Sequence, residues 1–524
     1  MNIFKRINSE ANSLSQPIRT AVPDSFTGWF WITLGLAWLL RIPLLNGSFW
    51  LDEAAQALEV IRPLSQQLDI AADFQPPLFH LLLHFWQYGG HQEWWLRLVS
   101  LVAGVGSIAI NMKTVERWQG KRASIFVGLL LATSSLHVFF SQELRPYMMA
   151  VFWGSLSLMS YLDLVWSQPQ ATQRSAFSLT GKVRLFAMIN VLGALTSYVY
   201  LFWLLGLLAS TWLFHRSRAW LVTRSLFVTG LVCLVWLPGL LGQLEASAAL
   251  RAAVPGWEAV VSLSQIKAIP LTVAKFMVGV VTVDFNLKDG LLVFLPFAST
   301  FYFIIKDWQS KRLIANSKMI TLLALFAFPL VLAWGFSFWT PVITPKRVLF
   351  LLPVLYVLFA QLWQPKLPTK TSLVFVLLLI INLVGLGRYW TDVSLQRENW
   401  RQAVSFIEQR FSPNNSVVVF GFDAPFAPWV WYQTEGLPSL NTGFSPIVSD
   451  ADAATRLRSV NRYENVIVFD YLLDLSDPQK TIVKYLRSDG YDEAELLDYA
   501  QLGFVRLFHR QKLYAGQPLD TEKL

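Results

Sequence analysis

Long apolar segments constrain this chain more than any other feature of its sequence. Hydrophobic residues make up 54% of the 524 positions and charged residues only 15%. A helix that crosses a bilayer needs about 20 mostly apolar residues. Runs of roughly that length recur at 29–45, 95–112, 123–140, 147–166, 221–240, 289–305, 319–336, 347–363 and 371–388. A water-soluble globule could not cover so much apolar surface, so the sequence predicts a membrane protein that crosses the bilayer many times.

The apolar segment at 185–214 is too long for one comfortable helix across the bilayer. Its polar interruption at Thr196, Ser197 and Tyr198 predicts two short spans that meet at a tight turn. The chain then has eleven predicted spans. Residues 241–288 become an outer segment, and we expect their apolar part at 266–283 to lie in the membrane interface or to re-enter the membrane.

The distribution of basic residues predicts the orientation of these spans. With eleven spans, every cluster of Lys and Arg between spans falls on the side of the N-terminus, at 5–19, 113–122, 174–184, 216–224, 306–318 and 366–370. Cytoplasmic loops carry such an excess. The N-terminus is therefore expected in the cytoplasm and the C-terminus outside, in a cell inner or plasma membrane. The formal net charge of +9 follows from this topology, and no nucleic-acid partner is predicted.

Three regions follow from this pattern. Residues 1–28 form a cytoplasmic segment, 29–388 a membrane domain whose first outer loop is 46–94, and 389–524 a tail with the composition of a soluble domain. Apolar runs at 417–420 and 466–469 predict strands between helices near 398–411 and 477–488, hence a small extracytoplasmic α/β domain. The tail lacks a Gly-rich phosphate loop and is therefore not expected to bind a nucleotide. Its remaining possible roles are those of a lid, a scaffold, an acceptor-binding module or a structural appendage.

The first outer loop carries the strongest chemical signal. It holds six carboxylates and one arginine, namely Asp52, Glu53, Glu59, Asp69, Asp73, Glu93 and Arg62. Asp52 stands either as the N-cap of a helix that begins at Ala54, with Glu53 favoured by the helix dipole, or as a general base. A carboxylate partly buried beside Trp50 and a second acid should have a raised pKa and accept a proton near neutrality.

Two further outer clusters are candidates for binding. Glu143, Arg145 and Tyr147 occupy a very short loop, where Glu143 and Arg145 form a local ion pair or instead orient an acceptor and bind a phosphate. Lys346 and Arg347 precede a late span on the acidic side. Basic residues at span ends often only reach toward the interface, but two adjacent cations here run against the positive-inside trend and favour an anionic ligand.

Two histidines of the first loop have a spacing that can bind a metal. His80 and His84 have the spacing of a zinc pair on one helix face. Their apolar neighbours at 81–83 favour interfacial packing, so no metal ligands are assigned. The outer cations can stabilise a leaving phosphate without a metal, and a divalent ion remains possible but is not predicted.

Short motifs in a characteristic order give the chain a family resemblance. They are Asp52-Glu53, Gln75-Pro76-Pro77 with Leu81-Leu82-Leu83-His84, Arg97-Leu98-Val99-Ser100, the segment 141–147, Arg347, and Asn399-Trp400-Arg401. With these motifs the chain resembles bacterial members of the GT-C superfamily of polytopic glycosyltransferases, in family 39, the group of protein O-mannosyltransferases and aminoarabinose lipid A transferases. Gln75 replaces a His that is common in the family, and Val348 replaces an aromatic residue.

The resemblance implies an all-α membrane domain of about eleven helices and a glycosyltransferase reaction. Such enzymes move a hexosyl or pentosyl unit, with inversion, from a membrane-embedded polyprenyl phosphate to an extracytoplasmic acceptor, which is a glycan, lipid or protein of the cell envelope. Asp52 would be the base, with Glu53 and Glu143 positioning base or acceptor. The expected substrate-binding residues are Trp50, Gln75, His84, Arg145, Tyr147, Lys346 and Arg347.

The sequence alone leaves other functional classes open. A transporter or flippase of lipid-linked sugars would also need many spans and outer cations, but it predicts charged or broken helices near the membrane midplane. A simple anchor for the tail would need only one span. A glycan polymerase or ligase usually carries one large outer loop late in the chain, whereas here the earliest loop holds the acids.

Overall fold

Helices come first along the chain, and a small sheet follows them. The structure is a computed structural model that describes residues 26–166, 179–254, 265–280, 298, 317–361, 368–422, 426–443 and 445–511. The helices within these ranges are α1 Phe26–Leu39, α2 Leu51–Val60, α3 Leu78–Trp86, α4 Glu93–Gln119, α5 Lys121–Thr133, α6 Ser135–Ser141, α7 Tyr147–Trp166, α8 Leu179–Ala194, α9 Tyr200–Phe214, α10 Ala219–Cys233, α11 Leu237–Ala253, α12 Gln265–Val278, α13 Ser317–Phe336, α14 Leu351–Gln361, α15 Pro368–Thr391, α16 Trp400–Arg410, α17 Ala427–Tyr432, α18 Asp450–Arg456, α19 Leu473–Ser476 and α20 Thr481–Ser488.

The described helices fit a multi-pass membrane protein. Five helical stretches are long and apolar enough to cross a bilayer, namely α4, α7, the continuous 38-residue stretch Arg216–Ala253 that contains α10 and α11, α13, and the apolar part of α15. The bent pair α5 and α6 would make a sixth, and α1, α9 and α14 are shorter apolar helices. The number of eleven spans is not confirmed, since the predicted span at 289–305 lies outside the described residues except for position 298.

The predicted span at 123–140 is broken rather than straight. Helix α5 ends at Thr133, α6 begins at Ser135, and the two axes differ by 61°. The last carbonyls of a helix lack partners within it, and here Arg41 donates to the carbonyl oxygens of Leu131 at 3.3 Å and Ala132 at 3.2 Å. An arginine from the end of the first apolar segment thus stabilises the break.

The segment at 185–214 forms two helices, as its polar interruption predicted. Helix α8 ends at Ala194 and α9 begins at Tyr200. Helix α9 packs against α13, and the two approach closely because Gly206 has no side chain where it meets Pro329. A Cβ atom on Gly206 would lie 2.7 Å from Cγ of Pro329. This contact fixes how near the two helices come.

The tail contains a five-stranded mixed sheet. Its strands are β1 Ser416–Phe420, β2 Ser439–Asn441, β3 Asn465–Phe469, β4 Tyr491–Tyr499 and β5 Gly503–Arg510. The order is β2-β1-β3-β5-β4, with β1 parallel to β2 and β3, and with β5 antiparallel to β3 and β4. The predicted strands at 417–420 and 466–469 are confirmed as β1 and β3, while β2 and the β4–β5 hairpin were not predicted.

Both faces of the sheet are covered, which explains why β1 is buried along its whole length. On one face Trp400, Val404 and Ile407 of α16 pack against the sheet. On the other, Ile482 and Leu486 of α20 do so. Burial of apolar side chains on two faces is what makes a sheet of this size stable.

The contact between α9 and α13 gives a prediction about two glycines. Replacing a helical glycine by alanine ordinarily stabilises a helix by about 1 kcal/mol. Gly230 in α10 has nothing within 4 Å of its Cβ position, so Gly230→Ala should raise the thermal unfolding temperature in detergent slightly. Gly206→Ala should lower it, because overpacking against a rigid proline ring costs about 1–3 kcal/mol. Equal shifts for both variants would contradict the proposed close packing.

Candidate functional site

Asp52 lies in the first turn of α2 and is not its N-cap. The cap residue is Trp50, which makes no side-chain capping bond, so the capping interpretation of Asp52 is wrong. A carboxylate in the first turn is still favoured by the helix dipole. The side chain of Asp52 is half-buried, and among the described residues no group forms a hydrogen bond or an ion pair with it.

Glu53, the next residue, lies in the opposite environment. It is fully buried and is bound by Arg97 of α4, whose Nε and Nη2 donate to Oε1 at 2.8 Å and to Oε2 at 2.5 Å. The remaining donors of Arg97 bind the carbonyl oxygens of Leu45, Gly47 and Ser48. All five N–H groups of the guanidinium are therefore used, which is what a buried charge requires.

Two more groups complete the surroundings of Glu53. The backbone N–H of Leu144 donates to Oε1 at 2.7 Å, and Nε of Arg397 lies 3.8 Å from Oε2. Burial by itself would raise the pKa of Glu53, but Arg97 and Arg397 outweigh it and hold the pKa below its ordinary value. Glu53 is thus an ionised structural anchor that fixes the position of its neighbour Asp52.

Arg397 was missed by the sequence analysis. It is buried, lies with its guanidinium carbon 4.3 Å from the ring centre of Phe139, and donates to the carbonyl oxygens of Phe139 and Gln142. Its Nη1 lies 3.6 Å from Oε2 of Glu143. The only signal in the sequence is its position two residues before the Asn399-Trp400-Arg401 motif.

The local ion pair between Glu143 and Arg145 does not form. Glu143 is buried and faces Arg397 instead. Burial raises the pKa of its carboxyl, although Arg397 and Lys346 act in the opposite direction. Arg145 pairs with Asp73, from the first loop, through Nη2 and Oδ1 at 2.7 Å.

Arg145 keeps part of its hydrogen-bonding capacity free. Burial opposes its charge, but Asp73, Asp52 and Tyr147 together raise its pKa, so the guanidinium stays charged. Its Nε is a buried atom without a hydrogen-bond partner. Asp52 is close enough to Arg145 to contribute to this shift of the pKa, and we group the two residues as a candidate cluster.

Lys346 joins the same cluster. Its Nζ lies 5.4 Å from the ring centre of Trp50 and 5.6 Å from that of Tyr147, distances typical of cation–π contacts. Tyr147, Asp52 and Glu143 raise its pKa, and no carboxylate among the described residues pairs with it.

The structure brings most, but not all, of the predicted residues to this cluster. Arg347 is half-buried next to Lys346 and donates from Nη1 to the carbonyl oxygen of Pro341. Gln75 is joined to Gln243 only through its backbone carbonyl. His84 donates from Nδ1 to the carbonyl oxygen of Val60 and packs on two aromatic rings, Phe85 and Tyr88. Neither Gln75 nor His84 contacts the Asp52 cluster.

The cluster can bind an anion next to a free base. Its unpaired donors are Nε1 of Trp50, Nε of Arg145 and Nζ of Lys346, and its unpaired acceptor is the Asp52 carboxylate. Buried polar atoms in native structures nearly always have partners, so the unpaired buried donors of Trp50 and Arg145 favour a bound ligand in this region. A phosphate with an attached polar group has the acceptors and charge that fit them.

The tail domain contacts the start of α2. Glu398 accepts hydrogen bonds from the hydroxyl of Tyr471 and from Nε1 of Trp400, both at 2.7 Å. The backbone N–H of Leu51 also bonds to it, and burial raises the pKa of Glu398 to about 7. The N–H of Phe49 donates to the hydroxyl of Tyr432. The tail therefore holds the start of α2 and acts as a scaffold for it.

Solved structures share this architecture. ArnT from Cupriavidus metallidurans, bound to undecaprenyl phosphate, matches with a TM-score of 0.54 at 13% identity over 94% of this chain and 99% of that chain. ArnT in the apo state matches with a TM-score of 0.53 at 13% identity, over 92% and 98%. The Archaeoglobus fulgidus oligosaccharyltransferase, in complex with Zn and sulfate, matches with 0.51 at 12% identity, over 90% and 72%. No protein-family model and no curated protein matches the sequence.

These neighbours confirm the resemblance at the level of fold. ArnT and the oligosaccharyltransferase are GT-C glycosyltransferases, and the present chain covers nearly the whole length of ArnT. The chain therefore has a GT-C fold, in which a helical membrane domain is followed by a small tail domain.

The contrast between Glu53 and Asp52 predicts opposite effects for two adjacent substitutions. Glu53→Gln leaves Arg97 and Arg397 without a buried counter-charge, and breaking such a pair costs about 3–5 kcal/mol. We expect a large loss of folded, monodisperse protein in detergent. Asp52→Asn removes no hydrogen bond or ion pair between described residues and should fold like the wild type. Equal folded yields of both variants on size-exclusion chromatography would contradict the anchoring role of Glu53.

The raised pKa of Glu398 predicts a pH-dependent stability. The folded protein keeps this proton up to about pH 7, whereas the unfolded chain loses it near the ordinary glutamate pKa of 4.5. The folded state therefore binds more protons between these values, and its stability falls as the pH rises through that window. Glu398→Gln removes this dependence. From pH 5 to pH 8 the unfolding free energy of the wild type should fall relative to that of the variant by at most about 3 kcal/mol.

Thermal unfolding of the wild type and of Glu398→Gln at pH 5 and at pH 8, followed by tryptophan fluorescence, measures this pH dependence. Parallel changes of the two proteins with pH would show that Glu398 keeps an ordinary pKa.

Proposed function

We propose that this chain is a membrane glycosyltransferase that moves a hexosyl or pentosyl unit from a polyprenyl-phosphate-linked donor to an acceptor on the extracytoplasmic face, with inversion at the anomeric carbon. The observation that carries the proposal is the unpaired, half-buried carboxylate of Asp52 beside the charged side chains of Arg145 and Lys346. A base next to an anion-binding cluster is what transfer from a sugar phosphate requires.

The reaction assigns a role to each part of the cluster. Asp52 takes the proton of the acceptor hydroxyl as the acceptor oxygen attacks the anomeric carbon. The bond from that carbon to the phosphate oxygen breaks, and its electron pair leaves with the phosphate monoester. Arg145 and Lys346 stabilise the growing negative charge, with Arg347 nearby, and they need no metal for this step. Trp50 and Tyr147 offer aromatic faces for the sugar or the isoprenoid chain.

Carboxylates other than Asp52 are engaged and cannot share its role directly. Glu53 binds Arg97, and Asp73 binds Arg145. Glu143 is buried with a raised pKa, which suits a group that positions the acceptor by hydrogen bonds. The difference leaves Asp52 as the carboxylate that is free to accept a proton.

The lipid-linked donor is supported by the fold and by the place of the cluster. Asp52, Arg145 and Lys346 all lie outside the long apolar helices, where the ends of spans meet loops. A phosphate anchored by a lipid tail reaches a site at this level of the membrane. The structural neighbour ArnT is bound to undecaprenyl phosphate, which supports the same donor class. The positive-inside pattern supports an extracytoplasmic site, with the N-terminus in the cytoplasm.

A transporter of lipid-linked sugars is the second candidate, because the helix break at Ser134 is a feature of transporter folds. The carbonyls at that break are bound by Arg41 and are not free to bind a substrate. Transport moves the intact donor across the bilayer, whereas transfer breaks its phosphate bond. Release of free polyprenyl phosphate from a labelled donor therefore distinguishes the two.

The central test is Asp52→Asn in a transfer assay. Purified protein is incubated with a panel of radiolabelled polyprenyl-phosphate sugars and with cell-envelope acceptors. The variant should bind donor like the wild type and lose at least about 100-fold in turnover, since general base catalysis contributes roughly that much or more. Turnover near the wild-type value would remove Asp52 from the role of base.

Lys346 gives a separate test of donor recognition. Lys346→Gln removes the charge but keeps a side chain of similar length, and it should weaken binding of a polyprenyl phosphate by about tenfold, the equivalent of 1.4 kcal/mol. Lys113→Gln is the matched control, because Lys113 packs on Phe26 and Phe30 at the end of α4 away from Arg97. Equal donor affinity for both variants, measured by equilibrium binding, would exclude Lys346 from the site.

A further inference from the structure

We infer that Arg41 and His137 form a clamp that positions the second outer loop, residues 141–147, for binding of the donor phosphate, an inference that rests on the proposed function. Both side chains are fully buried. Arg41 follows α1, and His137 lies in α6, after the break between α5 and α6. Their hydrogen bonds go to α1, α4, α5 and α6, so they would act on the site through the loop that follows α6.

Arg41 is a buried cation whose partners are all neutral. No carboxylate among the described residues pairs with it. Its five N–H groups have five acceptors at 2.8–3.3 Å, namely the carbonyl oxygens of Ala37, Leu131 and Ala132, Oγ of Ser141 and Nδ1 of His137. The three carbonyls lie in the last turns of α1 and α5, where a helix carries partial negative charge. A charged residue in an apolar segment is costly and usually serves a function, and here it holds two helix ends and α6 together.

The hydrogen bonds fix which nitrogen of His137 carries the proton. The hydroxyl of Ser107 in α4 donates its only hydrogen to the carbonyl oxygen of Gly104 at 2.7 Å, so it accepts from Nε2 of His137 at 3.1 Å. Nδ1 then has a lone pair, which accepts from Arg41 at 2.8 Å. His137 is therefore neutral, with its proton on Nε2. A side chain without an acceptor at the position of Nδ1 would leave a buried N–H of Arg41 without a partner, which is costly.

The clamp is continuous with the second outer loop. Ser141, the last residue of α6, accepts from Nε of Arg41 at 3.1 Å and donates to the carbonyl oxygen of His137 at 2.6 Å. The next residue, Gln142, donates from Nε2 to the backbone carbonyl of Arg41 at 2.8 Å and accepts from the hydroxyl of Tyr389 at 2.9 Å. Arg41 thus holds the first two residues of the loop, one through its side chain and one through its backbone.

The start of the loop controls where Arg145 lies. Leu144 is held by Glu53 through its backbone N–H, and Arg145 pairs with Asp73. Because these residues directly follow the part of the loop that the clamp holds, a shift at its start moves the guanidinium of Arg145. A displacement of about 1 Å caused by a distant substitution is enough to impair a site of this kind.

Two amide substitutions of His137 separate its two ring nitrogens. Asn places an oxygen at the position of Nδ1, whereas Gln reaches only the position of Nε2. His137→Asn should therefore keep the bond from Arg41, and His137→Gln should lose it. Hydrogen–deuterium exchange of the segment 141–147, measured by mass spectrometry on the full-length protein in detergent, should be at least about tenfold faster in His137→Gln than in His137→Asn.

Binding of a polyprenyl phosphate without sugar gives the second measurement. His137→Gln should bind it about tenfold more weakly than the wild type, and His137→Asn should stay within about twofold. Thr33→Val is the matched control, because Thr33 is a buried polar residue of α1 whose hydroxyl donates to the carbonyl oxygen of Trp29 in the same helix. It should match the wild type in both measurements.

Equal exchange of the two His137 variants overturns the proposal, and so does a difference in exchange without a difference in affinity for the polyprenyl phosphate. Thermal unfolding of each variant identifies misfolding. If His137→Gln does not fold, Ser141→Ala removes a single acceptor of Arg41 and should change both measurements in the same direction. A wild type that binds no polyprenyl phosphate would refute the proposed function instead, and the exchange of 141–147 would still decide whether the clamp holds the loop.

Discussion

The buried ion pair between Arg97 and Glu53 is the interaction on which the site depends. Both side chains are fully buried, and a buried charge is tolerated only when its partner and its hydrogen bonds are complete. Arg97 meets that condition by binding Glu53 and three backbone carbonyls at once. Arg97 thus fixes the turn before α2 and the start of α2, and Glu53 accepts a hydrogen bond from Leu144 of the second outer loop.

Adjacent residues of α2 acquire different chemistry from this arrangement. Successive residues of an α-helix point about 100° apart, so Glu53 faces the interior while Asp52 faces the cluster of Arg145 and Lys346. Counter-charges hold the pKa of Glu53 down, and its carboxylate is saturated with hydrogen bonds. Asp52 stays unpaired among the described residues. The directions of the two side chains therefore make Glu53 a structural anchor and leave Asp52 free to react.

The sequence predicted local features well and distant partners poorly. A polar interruption located the two helices around Thr196, and apolar runs located the strands β1 and β3. Each of these features depends on a short run of residues. The unusual concentration of acids also singled out Asp52, whose role as a base stays a prediction. One of the two interpretations of Glu143 and Arg145 paired them locally, whereas Arg145 binds Asp73, 72 positions earlier. Arg397 approaches Glu53 from the start of the tail, more than 300 positions later in the sequence, and no local pattern identifies such a contact.

The contacts at the start of the tail limit how this protein can be rearranged. Arg397 supplies positive charge to Glu53 and Glu143, and Glu398 ties α2 to the sheet. A chimaera that exchanged the whole segment after α15 for the tail of another enzyme would strip two interior acids of a counter-ion. A junction for grafting should therefore lie beyond residue 401, so that Arg397 and its neighbours are retained. Sequence composition changes at residue 389, but the domains can be recombined only at a later position.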